Sequence, residues 1–159
     1  MSQLQCNSIV PVGGIPAGAS GGGIVQVVST LYTTDFSFSS TTAVDVTSFS
    51  ASMACRNTSN KVLIQCQGSI HGLSSSQEQM MRIKIGASTY TNWVTCRWSS
   101  GSGLGGNAYL QHLYSPASTS SITYQVQVMT HTGGTCYMNR DFYSNNNNQS
   151  NITLLEISA

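Results

Sequence analysis

The chain has 159 residues, a length that suits one compact domain, and a formal net charge of +1. Only 7% of its residues are charged and 40% are hydrophobic, while 26 serines and 16 threonines make hydroxyls the commonest polar side-chain groups. This balance excludes intrinsic disorder, which needs low hydrophobicity and high net charge, and it excludes a nucleic acid partner, because the six Lys and Arg residues are scattered singly.

Residues 1–23 carry no regular hydrophobic period. Prolines and glycines interrupt the segment, and three successive glycines end it at Gly23. Five large aliphatic residues in it cannot fold locally, and we expect them to dock on another protein: Leu4, Ile9, Val10, Val12 and Ile15. We therefore divide the chain into an extended N-terminal docking arm with a glycine-rich joint, residues 1–23, and one folded domain, residues 24–159.

The clearest β-strand pattern lies at residues 122–129. Apolar side chains occupy every second position, which is the period of a half-buried strand. The apolar set consists of Ile122, Tyr124, Val126 and Val128. The pattern predicts that Val126 faces the core, and it places Gln125 and Gln127 on the polar face.

Similar patterns recur along residues 24–159. Residues 61–70 alternate in the same way, except that Leu63 breaks the alternation with an apolar side chain on the polar face. Residues 89–98 are predicted to be one strand, and Gly133 with Gly134 is predicted to be a hairpin turn. About nine or ten strands of roughly 5 to 10 residues, without any helical period, predict an all-β fold: a single antiparallel β-sandwich or jelly roll.

The five cysteines lack the spacing of a zinc site, and their odd number argues against a full disulfide framework: Cys6, Cys55, Cys66, Cys96 and Cys136. Residues 1–23 also lack the basic start and apolar centre of a secretory signal, and no apolar run approaches the ~20 residues that span a bilayer. We expect a protein that is made in a cytosol, with free thiols and no membrane insertion.

The titratable residues form no catalytic or metal-binding motif. The acids Asp35, Asp45, Glu78, Asp141 and Glu156 show no paired spacing, and the histidines His71, His112 and His131 show no HxH or HExxH spacing. For Glu156, a capped or paired structural carboxylate is favoured over a catalytic acid. We expect no enzymatic activity, no metal and no cofactor.

The aromatic residues of the strand patterns leave two interpretations open: Tyr90, Trp93, Trp98, Tyr109 and Tyr114. They can form a platform on which a glycan stacks, since aromatic faces suit sugar rings. Core or subunit interface is favoured, because these residues lie within strands and aromatics are enriched at interfaces.

Five segments carry a resemblance to a known family: 24–28 (IVQVV), 59–64 (SNKVLI), 114–128 (YSPASTSSITYQVQV), 137–140 (YMNR) and 150–159 (SNITLLEISA). In these segments the chain resembles virion structural proteins of tailed phages of marine bacteria and cyanobacteria, of the tail-fibre or decoration type. Domains of this family look like trimeric jelly rolls of the tumour-necrosis-factor or C1q kind. The departures from the resemblance are the arm and the loop at residues 101–106.

The resemblance implies a non-enzymatic bacteriophage structural protein on the particle surface, either a capsid decoration or short head fibre, or a tail fibre or adaptor component. It implies a homotrimer located in the virion, made in the host bacterial cytoplasm and docked on a capsid or tail protein through the five aliphatic residues of the arm. The low charge density agrees, because charges are costly to desolvate at an interface. The alternative is a host-recognition module that binds a host-surface glycan through Trp98, Asn145 and Asn146.

Overall fold

The computed structural model describes residues 23–72, 78–97, 105–140 and 148–158, and these ranges contain eleven β-strands and no helix. The strands are β1 (Ile24–Tyr32), β2 (Phe36–Phe38), β3 (Val44–Met53), β4 (Lys61–Gly72), β5 (Glu78–Ile85), β6 (Thr89–Tyr90), β7 (Val94–Arg97), β8 (Gly105–Tyr114), β9 (Ile122–Thr130), β10 (Cys136–Met138) and β11 (Ser150–Ile157). The short strand β10 is predicted from Cys136, Tyr137 and Met138. The strand number exceeds the expected nine or ten because β2 has only three residues, too few to show an alternating pattern, and because residues 89–98 contain two short strands, β6 and β7.

The strands form two antiparallel sheets. Sheet A has the order β1-β11-β4-β10-β2, and β8 also pairs with β4. Sheet B has the order β3-β9-β5-β6, and β7 also pairs with β5. Each sheet turns its apolar face toward the other, so the predicted antiparallel β-sandwich is confirmed.

The core lies between β4 of sheet A and the strands β5 and β9 of sheet B. Their core-facing side chains have no exposed surface: Val62, Ile64, Cys66, Ile70, Met81, Ile83, Tyr124, Val126 and Val128. Gly68 continues this face of β4, and a Cβ atom at Gly68 would lie 2.6 Å from Sδ of Met81. The absence of a side chain at Gly68 therefore makes room for a methionine from the opposite sheet.

A glutamine on the polar face of β9 forms hydrogen bonds that the sequence pattern does not predict. Strand β3 has a bulge opposite it, where the register shifts between Asp45 and Ser50. The side-chain amide of Gln125 donates to the carbonyl oxygens of Val46 at 2.8 Å and Phe49 at 3.2 Å. Because a bulge disrupts the ladder of backbone hydrogen bonds, this amide satisfies carbonyls that the neighbouring strand does not reach.

Residues 89–98 are not one strand, contrary to the prediction. Strand β6 ends at Tyr90 and β7 begins at Val94. Between them, the N–H of Thr91 donates to the carbonyl of Ile83 while Oγ1 of Thr91 accepts the N–H of Ile83, both at 2.9 Å. A side-chain hydroxyl thus takes the place of a backbone carbonyl, so the regular ladder stops at this residue.

The prediction of a hairpin at Gly133 and Gly134 is wrong. Strand β9 belongs to sheet B, whereas β10 pairs with β4 and β2 in sheet A. The two glycines have φ angles of 75° and 93°, which most other residues avoid, and they lie where the chain crosses from one sheet to the other.

A buried polar network joins the segments 137–140 and 150–159. Asn139 has no exposed surface and a φ of 64°, and its amide donates to the carbonyl of Tyr32 at 2.8 Å. The hydroxyl of Ser150 donates to Oδ1 of Asn139 at 2.6 Å and accepts the N–H of Ser69 at 3.0 Å. The network ties the ends of β1, β10 and β11 to β4, and Asn is one of the few residues that tolerate this backbone conformation.

Candidate functional site

An apolar row crosses four strands on the outer face of sheet A. Val27 of β1 lies opposite Leu155 of β11, Leu155 lies opposite Leu63 of β4, and Leu63 lies opposite Leu113 of β8. Side chains opposite each other on one face of a sheet are about 5 Å apart, so the four form a continuous apolar line. Val27 is 55% exposed and Leu113 is 51% exposed. The sequence signal for this row is Leu63, whose apolar side chain breaks the alternation of β4.

Two uncharged rows, polar except for Leu31, lie beside the apolar row on the same face. One consists of Ser29, Thr153, Gln65 and Gln111, and the other consists of Leu31, Asn151, Gln67 and Tyr109. Among the described outward-facing residues of these four strands, Lys61 alone carries a formal charge. The face can therefore be covered at little cost in charge desolvation, because hydroxyls and amides can form hydrogen bonds across an interface.

The outer face of sheet A is large enough for a specific contact. Four strands about 4.8 Å apart and eight residues at about 3.3 Å each give a projected area of roughly 500 Å². Side-chain relief increases the accessible area above the projection. The face is thus on the scale of the ~800 Å² that each partner buries in a standard protein interface.

The structure does not test the site residues that the sequence predicts. The docking residues Leu4, Ile9, Val10, Val12 and Ile15 lie outside the described residues. The glycan contacts Trp98, Asn145 and Asn146 also lie outside them. The arm and these contacts therefore remain predictions.

The aromatic residues have separate roles. The Arg82 guanidinium lies over the ring of Tyr90 at 4.1 Å and over the ring of Trp93 at 4.4 Å from their centroids. Tyr114 instead packs edge-on against the buried Tyr124, with ring centroids 6.3 Å apart. Tyr109 is 54% exposed on β8. Of the five aromatic residues, Tyr114 thus packs against the core, and Tyr90 and Trp93 stack on the Arg82 guanidinium on sheet B.

The Arg82 side chain is fixed by a hydrogen-bonded chain on the outer face of sheet B. Its Nε donates to Oε1 of Gln127 at 2.8 Å, and Nε2 of Gln127 donates to Oδ1 of Asp45 at 2.6 Å. Oδ2 of Asp45 pairs with Nζ of Lys84 at 2.7 Å. Hydrogen bonds from Lys84 and Gln127 lower the pKa of Asp45 below its usual range. These contacts also bury Gln127, which the sequence places only on a polar face.

A groove separates residues 91–94 from strand β8. Its volume is about 240 Å³. Trp93 and Tyr109 supply aromatic surface, Asn92 and Gln111 supply amides, and His112 supplies an imidazole. This groove brings together two of the five aromatic residues that the sequence offers for glycan stacking.

Glu156 is a buried carboxylate that accepts several hydrogen bonds. Its Oε1 accepts the backbone N–H of Arg56 at 2.7 Å and Nδ2 of Asn60 at 2.6 Å, and its Oε2 accepts Nε2 of Gln26 at 2.6 Å. Burial acts to raise the pKa of Glu156, but these hydrogen bonds outweigh it and hold the pKa below the usual value. The interpretation as a paired structural carboxylate agrees with this geometry.

The other reactive groups do not assemble into a catalytic or metal centre in the described part of the chain. No group of three His, Cys, Asp or Glu side chains there could hold a metal ion. The four described cysteines are free thiols, and burial raises the pKa of Cys66 to about 12 and of Cys136 to about 11. A thiol with so high a pKa carries almost no nucleophilic thiolate at neutral pH.

None of the described residues form a helix with the length and apolarity needed to cross a membrane.

No protein-family model matches the sequence, and no curated protein matches it. Solved structures of infectious bursal disease virus are similar over most of this chain. The VP2 subviral particle is 13% identical, with 84% of this chain and 39% of that chain covered and a TM-score of 0.48. The Gx strain structure is 11% identical, with 84% and 39% covered and a TM-score of 0.47. A mutant VP2 in derived T=1 particles is 8% identical, with 85% and 38% covered and a TM-score of 0.45. The chain spans less than two fifths of each of these proteins.

Proposed function

We propose that this protein is a non-enzymatic structural component of a bacteriophage particle and assembles as a homotrimer through the outer face of sheet A. The observation that carries the proposal is the apolar row of Val27, Leu155, Leu63 and Leu113, with two uncharged rows next to it on one side. Exposed apolar surface of this extent marks an interaction site on a soluble protein. The phage resemblance of residues 24–159 agrees with a particle component that meets copies of itself.

The energetics are compatible with a second and third copy as the partners of this face. Complete burial of a fully exposed aliphatic side chain contributes about 1.5–3 kcal/mol. Each of the four side chains in the row gains only part of this, because Val27 and Leu113 are about half exposed and Leu63 and Leu155 are already partly buried. The single charge at the margin, Lys61, adds little desolvation cost because a long side chain can extend into solvent. On β1, β11 and β4, the amides and hydroxyls of the two polar rows can form hydrogen bonds across the contact, while Gln111 and Tyr109 of β8 lie at its rim and stay outside it.

Replacing Leu113 with Glu is expected to weaken self-association at least about a hundredfold, because a carboxylate in the apolar row must be desolvated. The side chain is half exposed in one subunit, so each subunit should remain folded. Sedimentation velocity measures the change in oligomer mass, and circular dichroism measures folding.

The matched control is Ser52→Glu, which adds the same charge at an exposed position of β3 on the outer face of sheet B. It should leave the oligomer intact. If Leu113→Glu assembles as well as the wild type does, or if Ser52→Glu dissociates it equally, the outer face of sheet A is not the interface.

The proposal also assigns attachment to the arm, residues 1–23, which would bind a capsid or tail protein of the particle. Gly23 is anchored to the domain by the N–H of Ser158, which donates to its carbonyl at 3.0 Å. The arm therefore starts beside Ile24, which is 61% exposed at the margin of sheet A. Three arms on one trimer gain effective concentration, so weak single contacts can give firm attachment.

Deleting residues 1–20 is expected to leave a folded trimer that no longer binds particles lacking the wild-type protein. The five aliphatic residues lost with the arm are the docking side chains, while the β-sandwich remains complete. Co-sedimentation with such particles measures binding, and the full-length chain is the control. Undiminished binding of the truncated form would place the attachment on the β-sandwich instead.

A further inference from the structure

We infer that the groove between residues 91–94 and strand β8 is a binding site for one neutral sugar ring. The site goes beyond the structural role proposed above and does not depend on it. It combines two aromatic side chains, several uncharged hydrogen-bonding groups and a support that fixes one of the aromatic rings.

The size and lining of the groove fit a sugar. The volume of about 240 Å³ is that of a small site, below the range of about 300–1,000 Å³ for drug-sized ligands. Trp93 and Tyr109 offer aromatic surface to the C–H face of a pyranose ring. Asn92 and Gln111 each provide both donors and an acceptor, which suits the hydroxyls of a sugar.

The charge of the lining selects against ionic ligands. Among the described residues that line the groove there is no Asp, Glu, Lys or Arg, although His112 is part of the lining. An anionic or cationic ligand would lose hydration without gaining a partner of opposite charge. A neutral ligand with many hydroxyls loses less, because amides and the hydroxyl of Thr91 can replace its water.

The Arg82 stack organises the groove before a ligand binds. The guanidinium covers one face of the Trp93 ring and is itself held by Gln127, which is held by Asp45. A ring that is already fixed loses little freedom on binding, so more of the contact energy appears as affinity. Support of the Trp93 ring is thus a function for Arg82 and Asp45, in a chain that has only 11 formally charged side chains among 159 residues.

The position of the groove is compatible with assembly. Within the described residues, β8 pairs with β4 alone, so the groove runs along its free edge, at the rim of the outer face of sheet A. Tyr109 is four residues along β8 from Leu113 of the apolar row, a distance of about 13 Å. A trimer would present three grooves, and a branched or repeating glycan could bind several of them together.

The test is an NMR titration of the full chain with glucose, galactose, mannose and their N-acetylated amino sugars, each up to tens of millimolar. At least one sugar is expected to shift the amide signals of residues 91–94 and 109–112 and the indole N–H of Trp93 saturably. Tyr109→Ala should weaken that binding about tenfold, since loss of one aromatic contact is worth on the order of 1 kcal/mol. Tyr137→Ala is the matched control, because Tyr137 is likewise a tyrosine of sheet A that is not fully buried, but it lies outside the groove.

Three results would overturn the inference: no saturable shift with any of these sugars, equal binding by Tyr109→Ala, or equal weakening by Tyr137→Ala. A synthetic peptide of residues 1–20 is titrated in parallel. If the peptide shifts the β8 signals and the sugars do not, the free edge of β8 binds an extended peptide and the inference is wrong. The mass of Tyr109→Ala in sedimentation reports on assembly separately, so failure of the sugar site leaves the proposed assembly intact.

Discussion

Replacing Val126 with Asp is expected to prevent folding. Val126 has no exposed surface and lies on β9, which pairs with β3 on one side and β5 on the other. Burial of an unpaired carboxylate costs several kcal/mol, while the whole stability of a domain is about 5–15 kcal/mol. The described buried residues include no Lys or Arg that could pair with it. Circular dichroism and soluble yield after expression measure the outcome.

The matched control for this substitution is Thr123→Asp, on the same strand but on its exposed face. Its side chain can remain in solvent, so the effect on stability should be about 0.5 kcal/mol. Soluble, folded Val126→Asp protein would show that the two faces of β9 are reversed in this account.

Replacing Glu156 with Gln is expected to lower the free energy of unfolding by about 2–4 kcal/mol and the melting temperature by roughly 10 °C. The new amide would place an NH₂ group opposite a donor, either Gln26 Nε2 or the Arg56 and Asn60 pair. Rotation of the Gln26 amide does not cure this, because the same Nε2 also donates to the carbonyl of Ala54 at 2.7 Å. Thermal and urea unfolding at pH 7 measure the loss.

The pH dependence gives this prediction a second readout. The folded pKa of Glu156 is held below its ordinary value of 4.5, so its stabilising effect is present above pH 4.5 and is lost as pH falls through the folded pKa. The gap between wild type and Glu156→Gln should therefore close on acidification. Asp45→Asn is the control, since Asp45 is half exposed and such ion pairs contribute at most about 1 kcal/mol. A gap that stays constant down to pH 2 would mean that Glu156 is not bound as a carboxylate.

Local sequence patterns predict whether a side chain faces the core or the solvent. The alternation around Val126 fixes which face of β9 enters the core, and the spacing of such patterns indicates a β-sandwich. These patterns do not indicate which distant strands pair. The sequence therefore predicts a hairpin at Gly133 and Gly134 where the chain in fact passes from sheet B to sheet A, since glycines with positive φ angles occur both in hairpin turns and in connections between sheets.

The candidate sites were harder to predict because they depend on register. The apolar row requires that Val27, Leu63, Leu113 and Leu155 come into line across four strands. In its own segment each of them is next to an apolar residue of the opposite face, so the sequence does not separate the row from the core. The groove likewise joins Trp93 and Tyr109, which are 16 positions apart and belong to opposite sides of the sandwich. Composition had indicated an uncharged, interacting surface, but it could not locate that surface on sheet A.

The mass of the wild-type protein in solution tests the central claim most directly. Sedimentation equilibrium at micromolar concentration should give three times the chain mass of 16.9 kDa, about 51 kDa, because the outer face of sheet A is covered by neighbouring copies. A stable species of 16.9 kDa would contradict the account, since the apolar row would then remain exposed to water.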